Sequence, residues 1–243
     1  MAVRAYLRSP AAIAWTLLGA AAVGAVCGLG WLALAAVRSS NLGGNSLATG
    51  GIAELLYVAV LLVVLAVLAV VWLPFDAGIA HAVGRRARGD RVSFRRSVAA
   101  VRTSGRSLAR WLKTRAAVGP LAARVLTEDD VAPNEVVVGC QKFVVPALLL
   151  DAPATLPRAV ERANRVTPQP GHERLLVGCL GATGLLAAAL VFGPAGSPAP
   201  IAAVASPLAA GVVVLGAVVT AALSAAWRAS VYASQDLSEG FSR

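Results

Sequence analysis

Four long apolar runs constrain the fold of this chain more than any other feature of its sequence. They cover residues 11–37, 52–75, 175–192 and 200–226, and the only charged side chain inside them is that of Glu54. A helix needs about 20 apolar residues to cross a hydrocarbon layer of roughly 30 Å. Lipid cannot hydrogen-bond to the backbone, and the runs lack the alternation of a barrel strand, so each run predicts a transmembrane helix.

The first run also resembles a secretory signal peptide. It follows Arg4 and Arg8, and it contains the sequence Ala33-Leu34-Ala35, which is similar to a cleavage site. Its 27 uncharged residues far exceed the apolar segment of about 7–15 residues found in signal peptides. We therefore expect an uncleaved span.

A basic block between the second and third runs predicts the orientation of the chain. Residues 85–115 contain eleven basic side chains and one acid, Asp90, so this block alone carries the formal net charge of +10. Lys and Arg collect on cytoplasmic flanks. This rule places the block and both chain termini in the cytoplasm and leaves residues 193–199 outside. The excess of Arg over Lys, with abundant Ala and Gly, suggests a GC-rich genome, and the expected location is the plasma (inner) membrane of a prokaryote.

The basic block itself predicts one amphipathic helix with Ser93 as its N-cap. Its apolar stripe consists of Phe94, Val98, Val101, Leu108 and Leu112. Two arrangements remain open: the helix lies on an anionic inner leaflet, or it packs on the cytoplasmic ends of the other helices. Nucleic acid is not an expected partner, because little aromatic interleaving accompanies the charge. The side chains predicted to contact anionic lipid are Arg85, Arg86, Arg88, Arg95, Arg96, Arg102, Arg106, Arg110 and Lys113.

A shorter apolar stretch at residues 136–150 contains two polar side chains, Gln141 and Lys142. Fifteen residues are few for a span and fit a re-entrant or interfacial segment better. If it crosses, a partner crossing near residues 109–126 is needed, which gives six spans rather than four. The Gln141–Lys142 pair is a candidate intramembrane polar site, and the competing expectation is that Lys142 snorkels to the interface.

Several local predictions accompany these spans. The second run continues as helix to about Gly84, with a possible kink at Pro74, and a short surface helix begins after Thr155. Small residues let helices approach closely in lipid, so the sequence predicts packing contacts at Gly24, Gly28, Gly178, Gly181 and Gly184. The three cysteines, Cys27, Cys140 and Cys179, are expected to pack rather than to form a disulfide or bind a metal.

The predicted fold class is all-α, a polytopic bundle of transmembrane helices with a basic amphipathic cytoplasmic section. We divide it into an N-terminal transmembrane hairpin (1–84), a basic section (85–174) and a C-terminal hairpin with its tail (175–243). Common nucleotide-binding, zinc-protease and nucleophile motifs are absent from the sequence, so we expect neither a cofactor nor an enzyme. The expected function is a non-enzymatic scaffold or accessory subunit, with anionic lipid and other membrane proteins as partners. The alternative is a transporter or permease subunit.

Two stretches resemble a family of uncharacterised multi-pass membrane proteins, termed DUF6159. The first is the apolar segment 143–151, Phe-Val-Val-Pro-Ala-Leu-Leu-Leu-Asp, followed by the helical segment 156–162, and the second is the C-terminal segment 231–241. The resemblance covers roughly the last two-thirds of the chain. It implies a membrane protein, and it adds no activity.

Overall fold

The computed structural model describes residues 2–39, 47–116, 141–151, 155–166, 171–192 and 199–240. Every regular element within these ranges is helical. The α-helices are α1 (Ala2–Leu7), α2 (Pro10–Ser39), α3 (Leu47–Ala87), α4 (Phe94–Thr103), α5 (Gly105–Ala116), α6 (Val144–Leu150), α7 (Leu156–Arg165), α8 (His172–Phe192) and α9 (Ala199–Gly240). One 3-10 turn, Gln141–Phe143, precedes α6.

Four of these helices, α2, α3, α8 and α9, are long and apolar enough to cross a membrane. Their candidate spans lie within Pro10–Val37, Glu54–Ala87, Glu173–Leu190 and Leu208–Gln235, and each includes most of one predicted run. Large apolar side chains cover their outer surfaces, as expected of helices that face lipid rather than water. The prediction of an all-α transmembrane helix bundle is therefore confirmed.

Helices α2 and α3 form an antiparallel hairpin with close backbone approaches. A Cβ atom placed on Gly30 would lie 2.9 Å from the side chain of Val64, and one on Gly19 would lie 2.8 Å from Trp72. The same antiparallel alignment of α2 and α3 continues to Gly78, which lies against the indole of Trp15. Helices α8 and α9 make a second close approach where Gly216 meets Thr183, and α9 also packs along α3.

The core of the protein lies at one end of this bundle. Side chains of α3 are mostly exposed from Glu54 to Val70, whereas all those from Asp76 to Gly84 are buried. Helix α9 shows the same change, with its buried residues concentrated between Ala222 and Ala233. We call this region the basic end, defined as α4–α7 together with the first turns of α2 and the last turns of α3 and α9.

The basic block forms two helices instead of the single helix that the sequence predicts. The break lies at Ser104, the C-cap of α4. Ser93 is the N-cap of α4, as predicted, and its hydroxyl accepts a hydrogen bond from the backbone N–H of Arg96. The buried side chains Ser97, Val101, Leu108 and Trp111 keep one stripe across the break. This stripe differs from the predicted one, because Val98 is 37% exposed and Trp111, which the predicted stripe omits, is buried.

Helix α6 is the described helical part of the apolar stretch 136–150. Its seven residues reach only about 10 Å, too short to cross a hydrocarbon layer. All seven are buried, and Leu150 packs against Gly84 of α3. Gly84 lies about 21 Å along the helix beyond Val70, where the mostly exposed part of α3 ends. The described part of this stretch is thus a buried helix in the core of the basic end that is too short to span. Residues 136–140 and the part of the partner crossing beyond Ala116 lie outside the described residues.

Helix α7 begins as predicted but is not simply a surface helix. Thr155 occupies the N-cap position without a side-chain capping bond, and Pro157 lies in the first turn. One face of the helix is buried in the core, comprising Leu156, Ala159, Val160 and Ala163. Its charged residues Arg158, Glu161 and Arg165 are exposed on the opposite face.

Candidate functional site at the basic end

The carboxylate of Asp151 joins several elements of the basic end. It lies directly after α6 and accepts a hydrogen bond from Nη2 of Arg88 at 2.9 Å. Nη1 of Arg162 lies 2.8 Å from its other oxygen, to which the Tyr232 hydroxyl also donates a hydrogen bond. Arg88 donates a second bond to the carbonyl of Leu150. One acid therefore connects α6 with α7, α9 and the turn after α3, and we call this group the Asp151 cluster.

The environment of Asp151 keeps its carboxyl ionised. Burial of the side chain, which is 8% exposed, raises the pKa. The hydrogen bonds from Tyr232, Arg88 and Arg162 lower the pKa by more, so the pKa lies below its ordinary value of 3.8. An ionised carboxylate held by two guanidinium groups is suited to fixing helices together rather than to accepting a proton.

A second buried ion pair joins the two helices that enter the basic end. Nη2 of Arg228 in α9 lies 2.7 Å from Oδ1 of Asp76 in α3, and the two side chains are 17% and 10% exposed. Nε of Arg228 donates to the carbonyl of Ser224 at 3.2 Å. The pair lines a partly open cavity of about 550 Å³, whose walls are otherwise mostly apolar.

A buried hydroxyl connects the start of α2 with α3 and α4. The indole Nε1 of Trp15 donates to Oγ of Ser97 at 2.9 Å, and Ser97 donates to the carbonyl of Gly78 at 3.1 Å. Ser97 is completely buried. Because the indole N–H of Trp15 and the hydroxyl of Ser97 are both hydrogen-bonded, Ser97 fixes α4 against the α2–α3 hairpin without leaving either group unsatisfied.

The predicted lipid-contact residues divide into two groups. Arg95, Arg96, Arg102, Arg106, Arg110 and Lys113 are exposed on the outer faces of α4 and α5. We call these six side chains the cationic face, and a groove of about 470 Å³ on α5 brings Arg106, Arg110 and Lys113 together.

Three basic residues at the end of α3, namely Arg85, Arg86 and Arg88, are less exposed than the side chains of the cationic face. Arg88 is 14% exposed and belongs to the Asp151 cluster, so its prediction as a lipid contact is corrected. Its charge is taken up by a carboxylate and a carbonyl inside the protein. Arg85 lies 3.5 Å from Asp90, and Arg85 and Arg86 are both half-buried.

The predicted intramembrane polar site does not lie among the spans. Lys142 is exposed in the turn before α6, next to the completely buried Phe143. The side chain of Gln141 lies outside the described part of the chain. Lys142 therefore sits at the surface of the basic end.

The glycine contacts also differ from the prediction. Apart from the backbone of its own helix turn and its chain neighbours, a Cβ placed on Gly24, Gly28, Gly178, Gly181 or Gly184 would meet no described atom within 4 Å. Close approaches occur instead at Gly19, Gly30, Gly78, Gly84 and Gly216. Spacing alone could not distinguish these sets, because each helix carries several glycines and only the packing selects which of them face a neighbour.

The residues that hold the basic end together were largely missed by sequence reasoning. Asp151 and Asp76 each follow an apolar run as a single acid, and that position is the one local signal. The partners of these acids could not be found, since Arg88 lies 63 residues from Asp151 and Arg228 lies 152 residues from Asp76. Among the described residues, no three His, Cys, Asp or Glu side chains could hold a metal ion together. Cys27 and Cys179 are free thiols, and Cys140 falls outside the ranges given above.

Comparison of the chain with family models, with curated proteins and with solved structures gives no match.

Proposed function

We propose that this chain is a non-enzymatic scaffold or accessory component of a prokaryotic plasma membrane, which holds a fixed cationic surface against anionic lipid of the inner leaflet. The observation that carries the proposal is the placement of the cationic face. Its six side chains are exposed on α4 and α5, while the opposite faces of those helices are buried in the core.

The buried ion pairs of the basic end support a scaffold role. The two acids with the best-buried ion pairs, Asp76 and Asp151, are each engaged by arginine, and the second is also engaged by Tyr232. Breaking a buried ion pair is strongly destabilising, so each pair holds the helices that carry it together, whereas a general acid or base needs a proton that it can exchange. These carboxylates therefore favour a structural role.

The proposed orientation follows from charge. Lys and Arg near a span are retained in the cytoplasm, and the basic block carries the net charge of +10. Cytoplasmic leaflets are rich in anionic lipid, and each Lys or Arg near such a surface contributes about 1 kcal/mol. The groove formed by Arg106, Arg110 and Lys113 suits a phosphate group, because guanidinium and ammonium groups can donate several charge-assisted hydrogen bonds to its oxygens.

The test compares two triple variants that remove the same charge. Arg95→Gln, Arg102→Gln and Arg106→Gln together neutralise half of the cationic face. Arg4→Gln, Arg158→Gln and Arg174→Gln neutralise three exposed arginines elsewhere. Both variants are purified in mild detergent, and retained phosphatidylglycerol is measured by native mass spectrometry against phosphatidylcholine of the same acyl chains.

We expect the first variant to bind phosphatidylglycerol on the order of tenfold more weakly than the unmodified chain, and the second to change affinity by less than about twofold. Equal losses in both variants would mean that net charge alone attracts the lipid. Unchanged binding in the first variant would reject the cationic face as a lipid-binding surface.

A further inference from the structure

The cavity beside the Asp76–Arg228 pair lies where the bundle changes from exposed to buried. Ala69 and Leu73 of α3 line its side toward the exposed apolar surface. Trp111 and Leu112 of α5 and Val145 of α6 line its side toward the core. If the exposed apolar surface of α3 marks the hydrocarbon layer, the cavity lies at the depth of the phospholipid headgroups.

Tryptophan supports this depth. Trp72 lines the cavity from α3 and is partly buried, while Trp111 is almost fully buried on the other side. Indole rings favour the membrane interface, where one part of the ring meets apolar groups and the N–H meets polar ones. The cavity volume of about 550 Å³ lies within the usual range for small-molecule sites, roughly 300–1,000 Å³.

The polar floor of the cavity carries both signs of charge. Arg228 uses Nη2 for Asp76 and Nε for the carbonyl of Ser224. No hydrogen bond within the described chain reaches Nη1 of Arg228 or Oδ2 of Asp76. The pair therefore presents one cationic donor and one anionic acceptor side by side, with a net charge of zero.

We propose that this cavity binds a zwitterionic phospholipid whose headgroup carries a primary amine, of the phosphoethanolamine class. Nη1 of Arg228 donates to the phosphate, and the ammonium group donates to Oδ2 of Asp76 beside the face of an indole. The acyl chains leave along Ala69 and Leu73 toward the exposed apolar surface of α3. This assignment is separate from the anionic-lipid surface on α4 and α5.

The two other common headgroup chemistries fit the polar floor less well. A choline headgroup has a quaternary nitrogen without an N–H, so it cannot donate a hydrogen bond to Asp76. The headgroup of phosphatidylglycerol has no ammonium group. Its phosphate would therefore lie near the Asp76 carboxylate without a cation in the headgroup to offset the repulsion between the two negative charges. The expected order of affinity at this cavity is therefore phosphatidylethanolamine first, with the other two lipids weaker.

The experiment uses the full chain, delipidated in detergent and titrated with phosphatidylethanolamine, phosphatidylcholine or phosphatidylglycerol of identical acyl chains. The variant Ala69→Phe fills the cavity from an exposed position, and Ala66→Phe adds the same ring to an exposed position on α3 that does not line the cavity. Bound lipid is counted by native mass spectrometry, and helical content is checked by circular dichroism. A third variant, Asp76→Asn, removes the proposed ammonium acceptor.

We expect phosphatidylethanolamine to bind at least tenfold more tightly than phosphatidylcholine, and Ala69→Phe but not Ala66→Phe to abolish this preference. In Asp76→Asn, a folded protein should bind the two lipids equally. Equal affinity for the two lipids in the unmodified chain, or an equal effect of both phenylalanine variants, would overturn the proposal. Loss of phosphatidylglycerol binding in the cationic-face variant, with the ethanolamine preference kept, would support both lipid sites independently.

Discussion

At the scale of single residues, the protein distinguishes buried from exposed ion pairs. Asp151 is 8% exposed and has three hydrogen-bonding side chains around it, whereas Asp90 is 61% exposed and has one arginine at 3.5 Å. Water screens the exposed pair, so it contributes little. In the buried cluster, removing one partner leaves charges that the protein interior cannot solvate.

The first prediction concerns the substitution Asp151→Asn. It removes the anion shared by Arg88 and Arg162, and we expect a loss of about 3 kcal/mol in the free energy of unfolding, because breaking a buried pair costs roughly 3–5 kcal/mol and Arg162 is half-exposed. The matched substitution Asp90→Asn should cost less than about 1 kcal/mol. Reversible denaturation in detergent, followed by circular dichroism, measures both values. Similar losses would contradict the assigned role of the cluster.

The second prediction concerns pH and the same carboxyl. Its pKa in the folded protein lies below the ordinary value of 3.8, so the folded state binds this proton less readily than the unfolded state. The stabilisation that the ionised Asp151 contributes to the folded state is therefore complete above about pH 3.8. It is lost as the pH falls below 3.8 and through the lower pKa of this carboxyl in the folded protein. Other carboxyls titrate in the same range. The difference in unfolding free energy between the unmodified chain and Asp151→Asn isolates the effect, and it should shrink only below about pH 4. A difference that stays constant down to pH 2 would refute this expectation.

At the scale of elements, glycines decide where the helices can touch. A Cβ on Gly78 would lie 2.3 Å from the indole of Trp15, whose N–H is already fixed by Ser97. A Cβ on Gly181 would meet no described atom within 4 Å. Both residues lie inside long helices, and only the first permits two helices to approach.

The third prediction compares Gly78→Ala with Gly181→Ala. The new methyl at residue 78 must displace a buried ring, so we expect a destabilisation of about 1–3 kcal/mol. Alanine at residue 181 favours the helix and should change stability by no more than about 1 kcal/mol, toward greater stability. Thermal unfolding in one detergent measures both variants. A destabilisation at residue 181 would reveal a contact made by that face, for example with a second copy of the chain.

At the scale of the whole molecule, the helix directions bring both ends of the middle section to the same side. Helix α3 ends at the basic end, and α8, which packs antiparallel to α9, begins there. Helices α4, α5, α6 and α7 have 10, 12, 7 and 10 residues, so none exceeds about 18 Å in length. None of these four can cross a hydrocarbon layer of roughly 30 Å.

The fourth prediction tests the orientation with single cysteines in a background where Cys27, Cys140 and Cys179 are alanine. Thr103→Cys lies at the exposed end of α4, and Ser39→Cys lies at the exposed far end of α2. If the basic end is cytoplasmic, a membrane-impermeant maleimide labels residue 39 in intact cells and residue 103 only after permeabilisation. The reverse pattern would invert the proposed topology and remove the inner leaflet as the partner of the cationic face.

The sequence by itself determined the four spans, the continuation of α3 past its apolar run and the start of α4 at Ser93. These features depend on local properties, namely the length of an apolar run and the side chain at a helix cap. Such properties can be read from a short segment of sequence and do not depend on how the rest of the chain packs. Tertiary structure alone decided that α6 is a core helix and that Arg88 and Arg228 pair with distant acids. It also decided which glycines form contacts. These outcomes depend on which surfaces meet after the helices pack, and residues as far apart as 76 and 228 leave no joint signal in a single sequence.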